Sequence, residues 1–101
     1  MTVPGPKIRF TYYTRCNWLL RTAWMAQELL STFGTELASV TLVPGTGGIF
    51  EIHIGETLAW ERKRDNGFPD SRVLKQMVRD VIAPERSLGH IDRMPPNINE
   101  G

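Results

Sequence analysis

The chain holds a single residue type suited to nucleophilic and redox chemistry near neutral pH, and holds it once: Cys16, in the stretch "FTYYTRCNWLLRTAW" at 10–24. That stretch passes from a strand-like run ending at Tyr12 and Tyr13 to a helix-like run beginning around Cys16. The thiol therefore falls at, or just before, the N-terminus of a helix. Free amide donors and the helix dipole stabilise an anion there, and Arg15 and Arg21 add positive charge nearby. Free cysteine is also among the most buried residue types, so position alone leaves a functional and a structural reading even. A strand–loop–helix location in a β-α-β unit tips the reading toward function, because ligand and catalytic groups gather at the C-terminal ends of parallel strands.

The other chemistry-bearing residues point nowhere as clearly. "PGTGG" at 44–48 contains Gly45-x-x-Gly48, the loop pattern of KH-type RNA binders. That loop must join two helices, whereas this one is flanked by strand-like runs. No P-loop Lys-Ser/Thr follows it either, which argues against phosphate cradling. His53 alternates with Ile52 and Ile54 and is expected on the more exposed face of a strand, while His90 lies in a polar tail. Two histidines and one cysteine, far apart, do not make a metal site, so none is expected. Asp80, Glu85 and Asp92 read as solvated surface charges rather than an acid–base pair. Trp18, Trp24 and Trp60 read as core or interface anchors.

The elements that would carry these residues follow from periodicity. "KIRFTYY" at 7–13 alternates Ile8, Phe10 and Tyr12 with Lys7, Arg9 and Thr11, a strand with one buried face. From Asn17 to Phe33 the spacing becomes helical and apolar over much of the surface, which predicts a helix covered on most sides. Gly34 suits its left-handed end. "SVTLV" at 39–43 predicts a strand stopping at Pro44, followed by a Gly-rich turn. "IFEIHI" at 49–54 and "TLAWERK" at 57–63 predict a hairpin across Gly55 and Glu56, of type II′ because Gly comes first. After the break "NGFP", Asp70 or Ser71 is placed to cap a second amphipathic helix ending at Pro84. The order β-α-β-β-β-α, with its right-handed crossover, leaves few topologies. A compact thioredoxin-like α/β domain of two layers, with a four-stranded mixed sheet, satisfies it. The domain is expected over 1–86, with 87–101 as a loosely ordered tail.

Composition sets outer limits. With 101 residues, 41% hydrophobic and 23% charged, the chain is one ordinary globular domain. Twelve basic against eleven acidic residues leave a net charge of +1, which makes no electrostatic case for nucleic acid or an anionic membrane. No apolar run approaches a membrane span, and residues 1–6 show no signal-peptide core. A lone cysteine excludes an internal disulfide framework. The expectation is a cytoplasmic protein.

Taken together, "CNWLLRTAWMAQELLSTF", "LVPGTGGIFEIHI", "LAWERKRDNGFPDSRVLKQMVRD" and "LGHID" resemble the bacterial branch of the selenoprotein W-related (Rdx) family, which includes selenoproteins W, T and H. The likeness runs from about Lys7 to Arg93. It implies a thioredoxin-like fold and thiol-dependent oxidoreduction, often linked to glutathione. The family's Cys-x-x-Cys or Cys-x-x-selenocysteine motif falls on "YTRC" at 13–16, with Cys16 in the second redox position and Tyr13 in place of the first cysteine. This departure removes the dithiol cycle and leaves monothiol chemistry, a mixed disulfide with glutathione or a protein thiol. On this reading Arg15 assists the thiolate, or a glutathione carboxylate, and Thr46, Gly47 and Gly48 form part of the docking surface. No bound cofactor is expected beyond glutathione as a thiol co-substrate. A rival reading keeps the fold as a redox-inactive interaction module, binding a second copy or another protein through the first helix.

Overall fold

The computed structural model describes residues 5–89 and Asp92; His90 and the stretch 93–101 of the expected tail lie outside the described residues. Its elements run β1 (Lys7–Tyr13), α1 (Trp18–Phe33), a short 3-10 turn (Gly34–Glu36), β2 (Ser39–Gly45), β3 (Phe50–Ile54), β4 (Thr57–Glu61) and α2 (Ser71–Ile82). The four strands form one sheet in the order β2-β1-β3-β4. β1 pairs parallel to β2 and antiparallel to β3, and β3 pairs antiparallel to β4. This is the mixed-sheet α/β arrangement the element order predicts.

The period-two pattern of β1 becomes two faces. Ile8, Phe10 and Tyr12 point into the core, while Lys7 and Arg9 are exposed on the other face. α1 buries Thr22, Met25, Ala26, Leu29 and Phe33, and α2 buries Leu74 and Val78. These residues join Phe50, Ile52 and Ile54 of β3 in one cluster, so both helices cover the same side of the sheet. Complete burial of a side chain the size of Phe10 or Leu29 contributes roughly 1.5–3 kcal/mol. Thr22 is fully buried without being left unpaired, because its hydroxyl donates to the Trp18 carbonyl at 2.7 Å.

Several boundaries differ from the sequence reading, each for a physical reason. β2 does not stop at Pro44 but runs to Gly45, with Pro44 opposite Tyr12. It is an edge strand, where a missing N–H costs no ladder bond. β4 ends at Glu61, because that residue's carboxylate accepts the amides of Lys63 (3.0 Å) and Arg64 (2.8 Å) and turns the chain. Across the hairpin Ile54 pairs with Thr57, and Gly55 has φ 62 while Glu56 is not left-handed, the type II′ pattern. Asp70 caps α2, its carboxylate accepting the Val73 amide at 2.8 Å.

α1 is not covered on most sides as its apolar content predicts. Leu19, Leu20, Trp24 and Leu30 remain 46–68% exposed, because the sheet and α2 together reach only part of its circumference. Asp92 also departs from a solvated charge. It accepts from the Leu88 amide (2.7 Å), from Gln76 (2.8 Å) and from Arg79 (2.8 Å), and these donors hold its carboxyl below the usual carboxylate range.

Candidate functional site

Tyr13 and Gly45 face each other at the last register position of the parallel pair β1·β2. The chain segments that follow, 14–17 and 46–49, therefore leave the same edge of the sheet. The first carries Arg15 and Cys16, the second Thr46, Gly47 and Gly48, so residues far apart in sequence share one rim.

Cys16 is exposed and lies in a left-handed conformation at φ 62, followed by Asn17 at φ 60. Left-handed backbone is uncommon for a residue with a Cβ and costs about 1–2 kcal/mol. The two together swing the chain from the end of β1 into the first turn of α1 at Trp18. Asn17 makes no side-chain cap, and no acidic residue sits in the first turn. Backbone carbonyls engage the amides there instead: Trp18 donates to Arg15 at 3.4 Å, and Leu20 and Arg21 donate to Asn17 at 3.2 and 3.5 Å.

Aromatic contacts fix the floor of this edge. The ring of Tyr13 meets Trp18 edge-on with centroids 5.4 Å apart, and Trp18 meets Phe68 edge-on at 5.1 Å. Phe68 in turn packs on the core residue Phe50 at 4.7 Å. A phenol at position 13 thus works as a packing group at the end of β1. Two guanidinium groups lie on this floor, Arg21 at 4.5 Å from the Phe68 centroid and Arg62 at 5.3 Å from that of Trp18. Arg62 also donates through Nε to the carbonyl of Gly48 at 3.1 Å, which ties the Gly-rich loop to α1 through Trp18. Trp60 donates through Nε1 to the Gly67 carbonyl at 2.9 Å and steadies the loop that carries Phe68.

The arginines of this edge stand outside the ion pairs of the described residues, as do Lys7, Arg9, Lys63 and Arg72 elsewhere. Among the described residues Arg64, Lys75, Arg79 and Arg86 pair with carboxylates, whereas Arg15, Arg21 and Arg62 do not. The carboxyl of Glu61, near Arg62 in sequence, is already engaged by two backbone amides, which lower it below the usual carboxylate range.

The sequence reading placed Cys16, Tyr13, Arg15, Thr46, Gly47 and Gly48 in one site, and the fold brings their segments to one edge. Arg62 and Phe68 were missed. Both follow β4 in a stretch that reads as strand end and turn, and neither carries a spacing signal to Trp18. His53 lies across from Arg9 on the sheet face opposite the helices, with a buried Nδ1 that has no hydrogen-bond partner among the described residues. No group of three or more His, Cys, Asp or Glu residues is placed to hold a metal ion, among the described residues. Nor is any described helix long and apolar enough to cross a membrane.

Comparison with known proteins places this geometry in context. Residues 7–80 match the Rdx family. A crystal structure of a protein from Bordetella parapertussis is 60% identical, covers 77% of this chain and 98% of its own, and superposes with a TM-score of 0.74. A selenoprotein W-related protein from Vibrio cholerae is 51% identical over 77% of this chain and 98% of its own, with a TM-score of 0.75. No curated protein matches the chain.

Proposed function

The chain belongs to the Rdx family, a redox-related and thioredoxin-like group, and from that premise we propose that it is a thiol-based redox protein acting through the single thiol of Cys16. These 101 residues hold no second cysteine, so no dithiol can close within them. The chemistry that remains is exchange. The Cys16 thiolate attacks one sulfur of glutathione disulfide, a Cys16–glutathione bond forms, and glutathione thiolate leaves. A second external thiol then attacks the glutathione sulfur, or the sulfur of a protein in its place, and returns Cys16 to the thiolate. The protein would be a thiol- or glutathione-dependent oxidoreductase without a resolving partner of its own.

The observation that supports this reading is the exposure of Cys16 at the start of α1, beside the C-terminal ends of the parallel strands. Arg15 and Arg21, near it in sequence, have no carboxylate partner among the described residues. Arg15, Thr46, Gly47 and Gly48 form the wall against which the thiol partner lies. A working lone thiol suits a reducing compartment, and the cytoplasm is the proposed location.

Mass measurement tests the reading. Incubation with glutathione disulfide is expected to add one glutathione, at Cys16, removable by excess reduced thiol and absent in Cys16→Ser. A protein that stays unmodified sinks the proposal. The second reading, a redox-inactive interaction module, draws on the exposed Leu19, Leu20 and Trp24 of α1. It wins if Cys16→Ser leaves both partner binding and the cellular phenotype intact.

A further inference from the structure

The two edges of the sheet are finished differently. At the β4 edge the guanidinium of Arg64 donates to the carbonyls of Ala59 at 3.0 Å and Leu58 at 3.4 Å. A charged side chain laid along a strand in this way guards it against a further strand. The β2 edge has no such guard. "SVTLVPG" carries no charge and pairs with β1 without a bulge. Among the described residues no side chain hydrogen-bonds to its backbone. Alternate residues of an edge strand turn N–H and C=O outward, a row that can pair with a strand brought alongside.

α1 sets a line of apolar residues beside that edge. Leu19, Ala23, Ala26 and Leu30 follow one another at steps of four, three and four, so they align along the helix. Leu19 and Leu30 are 46% and 48% exposed. α1 packs on β1 and β2, with α2 beside it. Arg21 and Glu28 lie roughly half a turn round from the line. They face α2 and the loop before it: Glu28 meets Lys75 at 3.0 Å, and Arg21 stands 4.5 Å from the Phe68 centroid. The line is therefore on the side of α1 away from α2, toward the free edge. Val40 and Leu42, opposite Ile8 and Phe10 in register, turn to the same helix-bearing face and are only half-buried.

We infer that the β2 edge and this line of α1 receive a second copy of the chain, joined about a two-fold axis normal to the sheet. Such an axis pairs β2 antiparallel with its counterpart, doubles the four-stranded sheet and keeps the helices of both copies on one face. The spacing fits. Strands pair about 4.8 Å apart, so a helix over β1 and β2 stands about 5 Å from the axis, and two copies of α1 come about 10 Å apart, a helix-packing distance. Ala23 and Ala26 are small residues in the middle of the line and let the helices approach. Neither β2 nor the line holds a charge, so self-pairing sets no like charges against each other there. An extended peptide would satisfy the backbone of β2 but leave Leu19 and Leu30 exposed. A second copy covers both, because it carries the same strand and helix at the same spacing. The two copies of α1 run antiparallel, which puts the Cys16 thiols at opposite ends of a helix pair about 24 Å long. The interface needs no disulfide and does not rest on the redox reading above.

Sedimentation velocity under reducing conditions tests this, on the wild-type chain and on Cys16→Ser. Both are expected to form a dimer at micromolar concentration. Thr41 is exposed on the face of β2 opposite the helices, so Thr41→Lys sets like charges across the pair without touching the core. It is expected to weaken dimerisation about tenfold at unchanged circular dichroism, and Leu30→Glu to do the same. An equimolar mixture of Thr41→Lys and Thr41→Glu is expected to restore the dimer. A wild-type chain that stays monomeric at millimolar concentration overturns the inference. So does a dimer that both substitutions leave intact, or one that Cys16→Ser abolishes.

Discussion

At residue scale the chain turns on Cys16 and Tyr13. Position and helical onset made Cys16 legible in sequence, because a strand pattern that gives way to a helix pattern fixes which residue stands at the turn. The left-handed pair Cys16 and Asn17 was not legible, since nothing in "RCNW" announces positive φ outside glycine. Arg62 and Phe68 were equally hidden, their partners Gly48 and Trp18 being set by the fold and not by spacing. The Tyr13→Cys variant restores two thiols at the spacing of the family motif. Mild oxidation is expected to close an intramolecular disulfide, seen as loss of both free thiols in a monomer. Two free thiols, or intermolecular dimers alone, would contradict the view that the redox scaffold is kept. The same variant removes the ring that packs on Trp18, so a modest loss of stability of about 1 kcal/mol is expected in a urea titration.

At element scale the two helices are specified differently. α2 has its start written in the sequence: Asp70 was one of two cap candidates, and it accepts the Val73 amide. Asp70→Ala is expected to cost about 1 kcal/mol, read as a lower urea midpoint with an unchanged slope. A stability equal to wild type would show that Ser71 or water replaces the cap. α1 has no such cap, and its start is set instead by the left-handed turn and the packing of Trp18. Its exposed apolar side was misjudged from composition, because hydrophobic content does not say how much of a helix one sheet face can cover. The segment after α2 is tied back by Asp92, whose low carboxyl reflects the amide of Leu88 first, then Gln76 and Arg79. A group depressed in the folded state stabilises above its unfolded value and loses that contribution as pH falls through the folded one. Amide exchange in residues 83–89 is therefore expected to quicken below the usual carboxylate range, and Asp92→Asn to show the quickened pattern already at neutral pH. An unchanged pattern in both would contradict the anchoring role.

At the scale of the whole molecule, the order of elements and the one buried face of β1 were enough to give the sheet its composition and the parallel β1·β2 pair, while the full strand order β2-β1-β3-β4 came from the structure. Strand lengths at the edges were not readable, because Pro44 is tolerated only where the sheet ends. Phe10, at the centre of β1, is with Phe50 among the largest fully buried side chains. Phe10→Ala is expected to cost about 3–5 kcal/mol, a large share of the stability of a domain this size, and to lower the thermal midpoint accordingly. The central claim is that folding, not mere exposure, makes Cys16 a working thiol. The direct measurement is the rate at which Cys16 takes up glutathione from glutathione disulfide at neutral pH, in the folded protein and in the same chain unfolded in urea. The account predicts several-fold faster uptake when folded, with the advantage reduced in R21Q/R62Q. A folded rate equal to or below the unfolded one would contradict it.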